Sequence, residues 1–156
     1  CKGETVLGVV YAPYLNELYE ACKGKGAMLN GRSIHVSGKN DTQESVVSTG
    51  FPIDKDRNPD NNLDNLARIL PMVRGVRRQG SAAFDLCCVA AGILDGYWEF
   101  NLHLWDVCAG ILIVTEAGGT VRSFREDRNV SIVAGTPAIV EQLYPRLSDK
   151  PGKICL

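Results

Sequence analysis

Residues 104–119 have the sequence LWDVCAGILIVTEAGG, and this stretch decides the predicted fold. We predict a helix over residues 104–117 that is apolar on nearly all sides and ends at the following glycine pair. Residues 81–94 predict a second helix of the same kind, closed by Asp95 and Gly96. A helix that is apolar all round lies inside a protein rather than on its surface. We therefore expect both helices to lie between other layers of structure.

Short strand patterns surround the two helices. Further elements are predicted at residues 46–49, 76–78, 97–100, 120–124 and 131–134 (strands), at 62–73 (helix), and at 137–147 (a terminal helix capped by Thr136). Alternation of helices and strands is typical of an α/β protein in which helices flank a mixed sheet. The sequence therefore predicts a layered α/β fold.

The first 37 residues differ, because they contain only strand patterns. Strands are predicted over residues 5–11 and 17–22, and a hairpin is predicted around Asn30 and Gly31, a pair that supplies the positive φ angles of a type I′ turn. We expect two regions: residues 1–37 as antiparallel strands of a sheet begun upstream, and residues 38–156 as a C-terminal α/β domain.

Composition and charge narrow the function classes. The net charge is −1 and no basic run occurs, so the chain lacks the electrostatic footprint of a nucleic-acid-binding protein. No apolar segment reaches the roughly 20 residues of a membrane span. Six cysteines without a CxxC pair, several of them in apolar runs, are typical of a reducing cytoplasm. We expect a cytoplasmic protein whose partner is a small molecule, not nucleic acid or a membrane.

The chain begins at Cys1 without an initiator methionine, and a strand pattern follows within a few residues. One interpretation is that the natural protein has more chain upstream. The alternative is a trimmed or processed N-terminus. The sequence leaves both open.

Asp106 is the leading candidate for chemistry. It lies in the first turn of the helix over residues 104–117, where a carboxylate also gains simply from the helix dipole. Glu99, seven residues earlier, is predicted near the end of a strand, so the two carboxylates can converge on one cleft. Such a pair is costly unless a cation or a polyol lies between them. Both the structural and the functional interpretation of Asp106 remain open at this point.

Gly80, Ser81 and Ala82 form the second candidate. A glycine and a serine at a helix N-terminus offer backbone N–H groups and a hydroxyl to a ligand, although a plain N-cap needs no ligand. Arg77 and Arg78 directly before them could pair with phosphate or carboxylate, or serve an ordinary surface role.

Four other residues are assigned structural roles. Trp98 and Trp105 are expected to be core or interface aromatics. Glu116 is expected to pair with a neighbour or to cap a turn, and Asp95 to stop a helix.

Several motifs in order resemble those of the inositol monophosphatase family, in its bacterial type. The stretch from Trp105 to Gly119 is similar to the family's C-terminal signature, WDxAAGxxIxxEAGG. Further similar stretches are residues 77–83, 89–92 and 95–99, and, near the start, residues 8–13, 17–19 and 23–31. The resemblance runs from about Thr5 to about Leu147, and so covers most of the chain.

The resemblance implies the C-terminal portion of a layered sugar-phosphatase fold. It also implies a Mg²⁺-dependent phosphomonoesterase acting on inositol monophosphate or a related sugar phosphate. Asp106 matches the family's metal-binding and water-orienting aspartate, and Glu99 matches the glutamate that hydrogen-bonds substrate hydroxyls. Gly80, Ser81 and Ala82 match the loop that contacts the sugar ring.

The chain also departs from the family pattern. The Glu-Glu segment and the Asp-Pro-x-Asp-Gly-Thr motif that supply the other metal ligands are not found in it. We therefore expect a fragment that binds Mg²⁺ weakly and hydrolyses little by itself. A sister activity on fructose 1,6-bisphosphate or a phosphoadenosine nucleotide is the close alternative. The alternative from another class is a non-catalytic binding or regulatory module of the same fold. A homodimer formed through an unpaired strand edge is also expected.

Overall fold

The computed structural model of the chain describes residues 3–147, which form two β-sheets and four α-helices. The strands are β1 (Leu7–Ala12), β2 (Glu17–Cys22), β3 (Ala27–Leu29), β4 (Arg32–Ile34), β5 (Val46–Thr49), β6 (Gly75–Arg77), β7 (Gly96–Leu102), β8 (Thr120–Ser123) and β9 (Val130–Gly135). The helices are α1 (Leu63–Ile69), α2 (Ala82–Ala90), α3 (Leu104–Glu116) and α4 (Pro137–Leu143). The layered α/β architecture predicted from the sequence is confirmed.

The first sheet is antiparallel, with the strand order β1-β2-β3-β4. Asn30 (φ 50°) and Gly31 (φ 75°) make the turn between β3 and β4, as the Asn-Gly pair predicts. The Asn30 side chain also accepts a hydrogen bond from the Leu18 backbone N–H at 2.9 Å, which fixes the turn to β2. The predicted hairpin is therefore confirmed.

The second sheet is mixed, with the order β6-β5-β7-β9-β8. Strand β5 is parallel to both of its neighbours, whereas β9 is antiparallel to β7 and β8. The parallel register pairs Thr49 with Trp98, which brings the end of β5 beside the middle of β7. This juxtaposition forms one wall of the candidate site described below.

Helices α2 and α3 lie between the two sheets, as their apolar sequences predict. Their buried side chains share one core with Tyr19, Ala21 and Ala27 of the first sheet. The helices pack very closely at Gly110, where an added Cβ would lie 2.7 Å from the Leu86 side chain. A second core, which includes Trp98 of β7, lies under α1 and α4. The first sheet and the two helices thus share one core. The predicted boundary between residues 37 and 38 stays a prediction.

Three helices are shorter than predicted. Helix α1 ends at Ile69 rather than at residue 73 and continues only as a 3₁₀ turn over Leu70–Met72, because Pro71 has no N–H to continue the α-helical bonding. Helix α2 ends at Ala90 rather than at residue 94, because Gly92 adopts a left-handed φ of 70° and closes the helix early. Helix α4 ends at Leu143 and continues only as a 3₁₀ turn over Tyr144–Arg146. Pro145 explains this end, because its nitrogen has no hydrogen to continue the α-helical bonding. The prediction of an α-helix over residues 137–147 is therefore wrong beyond Leu143.

Among the described residues, Cys22, Cys87, Cys88 and Cys108 are free thiols, and Cys87 and Cys88 are buried in the apolar helix α2. Cys108 is only half-buried, because it lies on a partly open side of α3.

Over residues 3–147, no helix has the length and apolar character needed to cross a bilayer.

Candidate functional site

A cavity of about 360 Å³ opens where the N-termini of α2 and α3 meet the middle of β7. The five residues predicted to form the catalytic and substrate-binding site all line this one cavity: Gly80, Ser81, Ala82, Glu99 and Asp106. The lining residues are Gly50, Arg78, Gly80, Ser81, Ala82, Ala83, Glu99, Leu102, Trp105 and Asp106. Residues from four separate stretches of sequence therefore meet in one place, and their chemical character is polar and partly acidic.

Asp106 lies in the first turn of α3 and is half-buried at the cavity wall. Its Oδ2 accepts a hydrogen bond from the His103 backbone N–H at 2.8 Å, so the carboxylate caps the helix. The same side chain lines the cavity. The structural and functional interpretations of Asp106 are therefore compatible, since capping engages Oδ2 and leaves acceptor capacity on the carboxylate.

Glu99 lies in the middle of β7, not near its end as predicted. The strand register shifts between Glu99 and Leu102, and Asn101 has a φ of 62°, so the strand bends just after the carboxylate. The Tyr97 hydroxyl, two residues earlier on the same strand face, donates to Glu99 Oε2 at 2.7 Å. Burial raises the pKa of Glu99, and the Tyr97 hydrogen bond opposes that rise.

Gly80, Ser81 and Ala82 form the N-terminal end of α2 at the cavity. Ser81 is the N-cap, and its Oγ accepts from the Phe84 backbone N–H at 3.4 Å, so the plain capping role is real. The first N–H groups of a helix have no acceptor within the helix. Here they belong to residues that line the cavity, which makes this end of α2 suited to an oxygen-rich ligand.

The two neighbouring arginines differ in position. Arg78 lines the cavity and lies against Gly80, where a Cβ would meet its Nη1 at 2.8 Å. Arg77 instead donates to the carbonyl oxygen of Val76. Among residues 3–147 no ion pair joins either arginine to Asp106. Arg78 is therefore a cation beside the acidic residues, and the sequence alone did not distinguish it from Arg77.

Asp85 is a buried carboxyl behind the cavity that the sequence reasoning missed. It follows the lining residues of α2 and has only 1% of its surface exposed. Burial raises its pKa to about 6, and the nearby side chains of Ser48 and Gln79 only partly oppose this. Within the described chain, Oδ1 of Asp85 and Oγ of Ser48 have no hydrogen-bond partner. The available signal was that Asp85 is the one charged residue in an otherwise apolar helix.

The two tryptophans have different environments. Trp98 is fully buried and donates from Nε1 to Asn62 Oδ1 at 3.0 Å, so its predicted core position is confirmed. Trp105 is 76% exposed at the cavity rim and stacks on the His103 ring, with 4.2 Å between ring centroids. Trp105 is therefore not a core residue, because it lies in the outward-facing first turn of α3.

The donor set of the site fits a hard dication only in part. Mg²⁺ prefers six oxygen ligands in octahedral geometry. The carboxylates of Asp106 and Glu99 face the cavity, but residues 3–147 contain no group of three or more His, Cys, Asp or Glu side chains arranged to hold a metal ion. These residues by themselves do not make up a magnesium site.

The chain is a layered α/β protein, in which two apolar helices lie between an antiparallel sheet and a mixed sheet. Its carboxylate-lined cavity at the helix N-termini is a pocket of small-molecule size. The chain belongs to the inositol monophosphatase family, whose model matches residues 1–150.

Individual relatives agree with this family. The putative Nus factor SuhB of Neisseria meningitidis serogroup B is 42% identical over 151 residues, which cover 94% of this chain and 58% of the relative. The Nus factor SuhB of Escherichia coli K12 is 39% identical over 153 residues, covering 96% and 57%. The structure of inositol monophosphatase from Anabaena superimposes with a TM-score of 0.86 at 38% identity, covering 92% and 59%. The chain thus spans somewhat less than three fifths of these relatives' length.

Proposed function

We propose that this chain carries the polyol-binding side of a phosphomonoesterase that hydrolyses inositol monophosphate or a related sugar phosphate. The observation that carries the proposal is the single cavity, in which two carboxylates, a serine and an arginine meet at two helix N-termini. Family membership supports the reaction class.

The proposed roles follow from the chemistry of each group. The Glu99 carboxylate, with one oxygen held by Tyr97, accepts hydrogen bonds from ring hydroxyls through its remaining lone pairs. Gly80, Ser81 and Ala82 contact the ring through their backbone and the serine hydroxyl. The Arg78 guanidinium attracts the phosphate electrostatically. Asp106 is the proposed catalytic residue, which orients the attacking water by accepting its hydrogen bond.

Mg²⁺ is the proposed cofactor, and Asp106 is its proposed ligand from this chain. A bound dication supplies Lewis-acid stabilisation of phosphate oxygens. We expect the other oxygen ligands to come from outside residues 3–147, since those residues contain no group of three or more ligating side chains. We therefore expect weak Mg²⁺ binding and little hydrolysis from the 156-residue chain alone.

Two measurements on the 156-residue chain test the proposal. Trp105 fluorescence should change on titration with myo-inositol 1-phosphate, since Trp105 lies at the cavity rim, whereas the buried Trp98 gives a constant background. Phosphate release with Mg²⁺ should stay far below the roughly 10 s⁻¹ of an ordinary enzyme. Absence of binding would contradict the polyol site, and ordinary turnover would contradict the incomplete metal site.

A non-catalytic binding or regulatory module is the second candidate. One observation favours it: the relatives from Neisseria meningitidis and Escherichia coli are named Nus factors rather than hydrolases. This function predicts that myo-inositol 1-phosphate leaves Trp105 fluorescence unchanged. The same titration therefore separates the two candidates.

A further inference from the structure

Gly50 directly follows β5, and its missing side chain leaves the space that the Glu99 carboxylate fills. A Cβ built at Gly50 would lie 2.1 Å from both Oε1 and Oε2 of Glu99, and 2.2 Å from Cδ. Real Cβ atoms essentially never come within 3.0 Å of another heavy atom in this way. A glycine is therefore required for the observed position of Glu99, for reasons of space alone. Its φ is not in the left-handed region, so alanine is compatible with the backbone.

The carboxylate is held from the other side as well. The Tyr97 hydroxyl donates to Oε2 at 2.7 Å, and Tyr97 itself is fully buried. Because β5 and β7 pair in parallel with Thr49 opposite Trp98, the next residues, Gly50 and Glu99, lie side by side. The Glu99 carboxylate thus lies between the Gly50 backbone and the buried Tyr97 hydroxyl.

The backbone at Gly50 is itself fixed by buried hydrogen bonds. Asn62 donates from Nδ2 to the Gly50 carbonyl oxygen at 2.6 Å and to Thr49 Oγ1 at 2.9 Å. The Thr49 hydroxyl donates to the Trp98 carbonyl oxygen at 2.6 Å, and Trp98 Nε1 donates back to Asn62 Oδ1. This closed set of bonds joins the end of β5 to β7, so the niche does not depend on a loose loop.

We propose that Gly50 is a specificity-determining residue, whose niche holds the Glu99 carboxylate where it can bind the hydroxyls of a ring polyol. The assignment of the ligand rests on the proposed function, whereas the niche itself does not. Any side chain at position 50 pushes the carboxylate into the cavity. Binding that depends on ring hydroxyls is then lost, while binding through phosphate alone is kept.

Gly50→Ala tests the proposal, with Gly38→Ala as a matched control because a Cβ at Gly38 meets no atom within 4 Å. Two ligands are titrated calorimetrically: myo-inositol 1-phosphate, and phenyl phosphate, which has no hydroxyl groups. Gly50→Ala should weaken inositol phosphate binding by about tenfold, the usual effect of losing hydrogen bonds to a charged group. Phenyl phosphate binding and both affinities of Gly38→Ala should match the wild type.

A double-mutant cycle with Glu99→Ala keeps the test decisive if Gly50→Ala folds poorly. Removing the Glu99 carboxylate empties the niche, so Gly50→Ala should have no further effect on affinity or stability in that background. Equal losses with and without Glu99 would overturn the proposal, because Gly50 would then act through something else.

The carboxyl ¹³C titration of Glu99 separates failure of the niche from failure of the proposed function. Burial raises the pKa of Glu99 in the wild type, so displacement into the open cavity in Gly50→Ala should lower that pKa. An unchanged pKa overturns the niche. If the wild type binds no inositol phosphate, both the proposed function and the ligand assigned to the niche are overturned. If the wild type binds and Gly50→Ala binds equally well, only the role of Gly50 is overturned.

Discussion

The Arg125 guanidinium binds both carboxylate oxygens of Asp60, with Nη1 to Oδ1 at 2.9 Å and Nη2 to Oδ2 at 3.0 Å. The arginine side chain is only 2% exposed, and Asp127 binds it from the other side. These pairs join the loop that begins at Gly50 to the β8–β9 connection. This loop is in this way fixed to the β8 edge of the mixed sheet.

Arg125→Met should destabilise the chain by about 3 kcal/mol, because it leaves the Asp60 carboxylate partly buried with Arg128 as its remaining partner. Arg122→Met on the neighbouring strand is the control. Arg122 pairs with the exposed Glu141 and stacks on the Tyr144 ring at 3.7 Å, so its loss should cost about 1 kcal/mol, well below the effect at Arg125. Urea unfolding of both variants checks this. Equal effects would contradict a structural role for the buried pair.

Asp85→Asn should stabilise the chain at neutral pH. Burial raises the folded-state pKa of Asp85 to about 6, above the ordinary 3.8. The contribution of Asp85 to stability is therefore most favourable below pH 3.8, where the carboxyl is protonated, and it is lost as pH rises through 6. Asparagine mimics the protonated form. We expect a gain of about 1 to 2 kcal/mol at pH 7.5 that disappears near pH 4. Thermal unfolding at both pH values measures it, with Asp56→Asn on the exposed loop as the control; a loss of stability at pH 7.5 would rule the account out.

Glu116→Gln should loosen the turn between β2 and β3. The Glu116 carboxylate accepts backbone N–H bonds from Gly24, Lys25 and Gly26 at 2.8, 3.1 and 2.9 Å, so the predicted turn-capping role is confirmed. These bonds lower the pKa of Glu116. Their contribution is therefore present above the ordinary pKa of 4.5 and is lost as pH falls through the lower folded value. Faster amide exchange at Gly24 and Gly26 is expected in the variant at pH 7.

The outer face of β1 should promote self-association of the chain. Leu7, Val9 and Tyr11 are more than half exposed on this face, at 63%, 51% and 54%. A row of exposed apolar side chains is a typical contact surface between proteins. Strand β1 is also an edge strand, whose unpaired backbone groups can hydrogen-bond to a second copy of the chain. We propose a homodimer that Val9→Lys should dissociate, as judged by light scattering over a dilution series. Lys at Tyr14, which is 99% exposed in a turn, serves as the control position. A wild-type monomer at all concentrations would contradict the proposal.

Periodicity and turn chemistry were sufficient to predict most of the architecture. The apolar stretch over residues 104–117 predicted α3 between two layers, and Asn30 with Gly31 predicted the hairpin, because both signals are local. The ends of α1, α2 and α4 were predicted too late, since a single glycine or proline overrides an apolar pattern that continues past it. Helix existence is thus easier to predict than helix length.

The candidate site was predictable only where helix-start positions and a family motif indicate its residues. Asp106, Glu99 and the stretch from Gly80 to Ala82 were identified in this way, and the structure brings them into one cavity. Gly50 was missed, because its relation to Glu99 arises from the pairing of β5 with β7 and has no local signal. Tyr97 was missed although it lies two residues before Glu99 on the same strand face. Asp85 was missed although a lone carboxyl in an apolar helix always needs an explanation.

The most direct test of the central claim is an amide NMR titration of the 156-residue chain with myo-inositol 1-phosphate. We predict saturable shifts at Gly80, Ser81, Ala82 and Glu99 that Glu99→Gln weakens and Asp56→Gln leaves unchanged. Shifts absent from these residues, or concentrated on the outer face of β1 instead, would contradict a polyol phosphate site in this cavity.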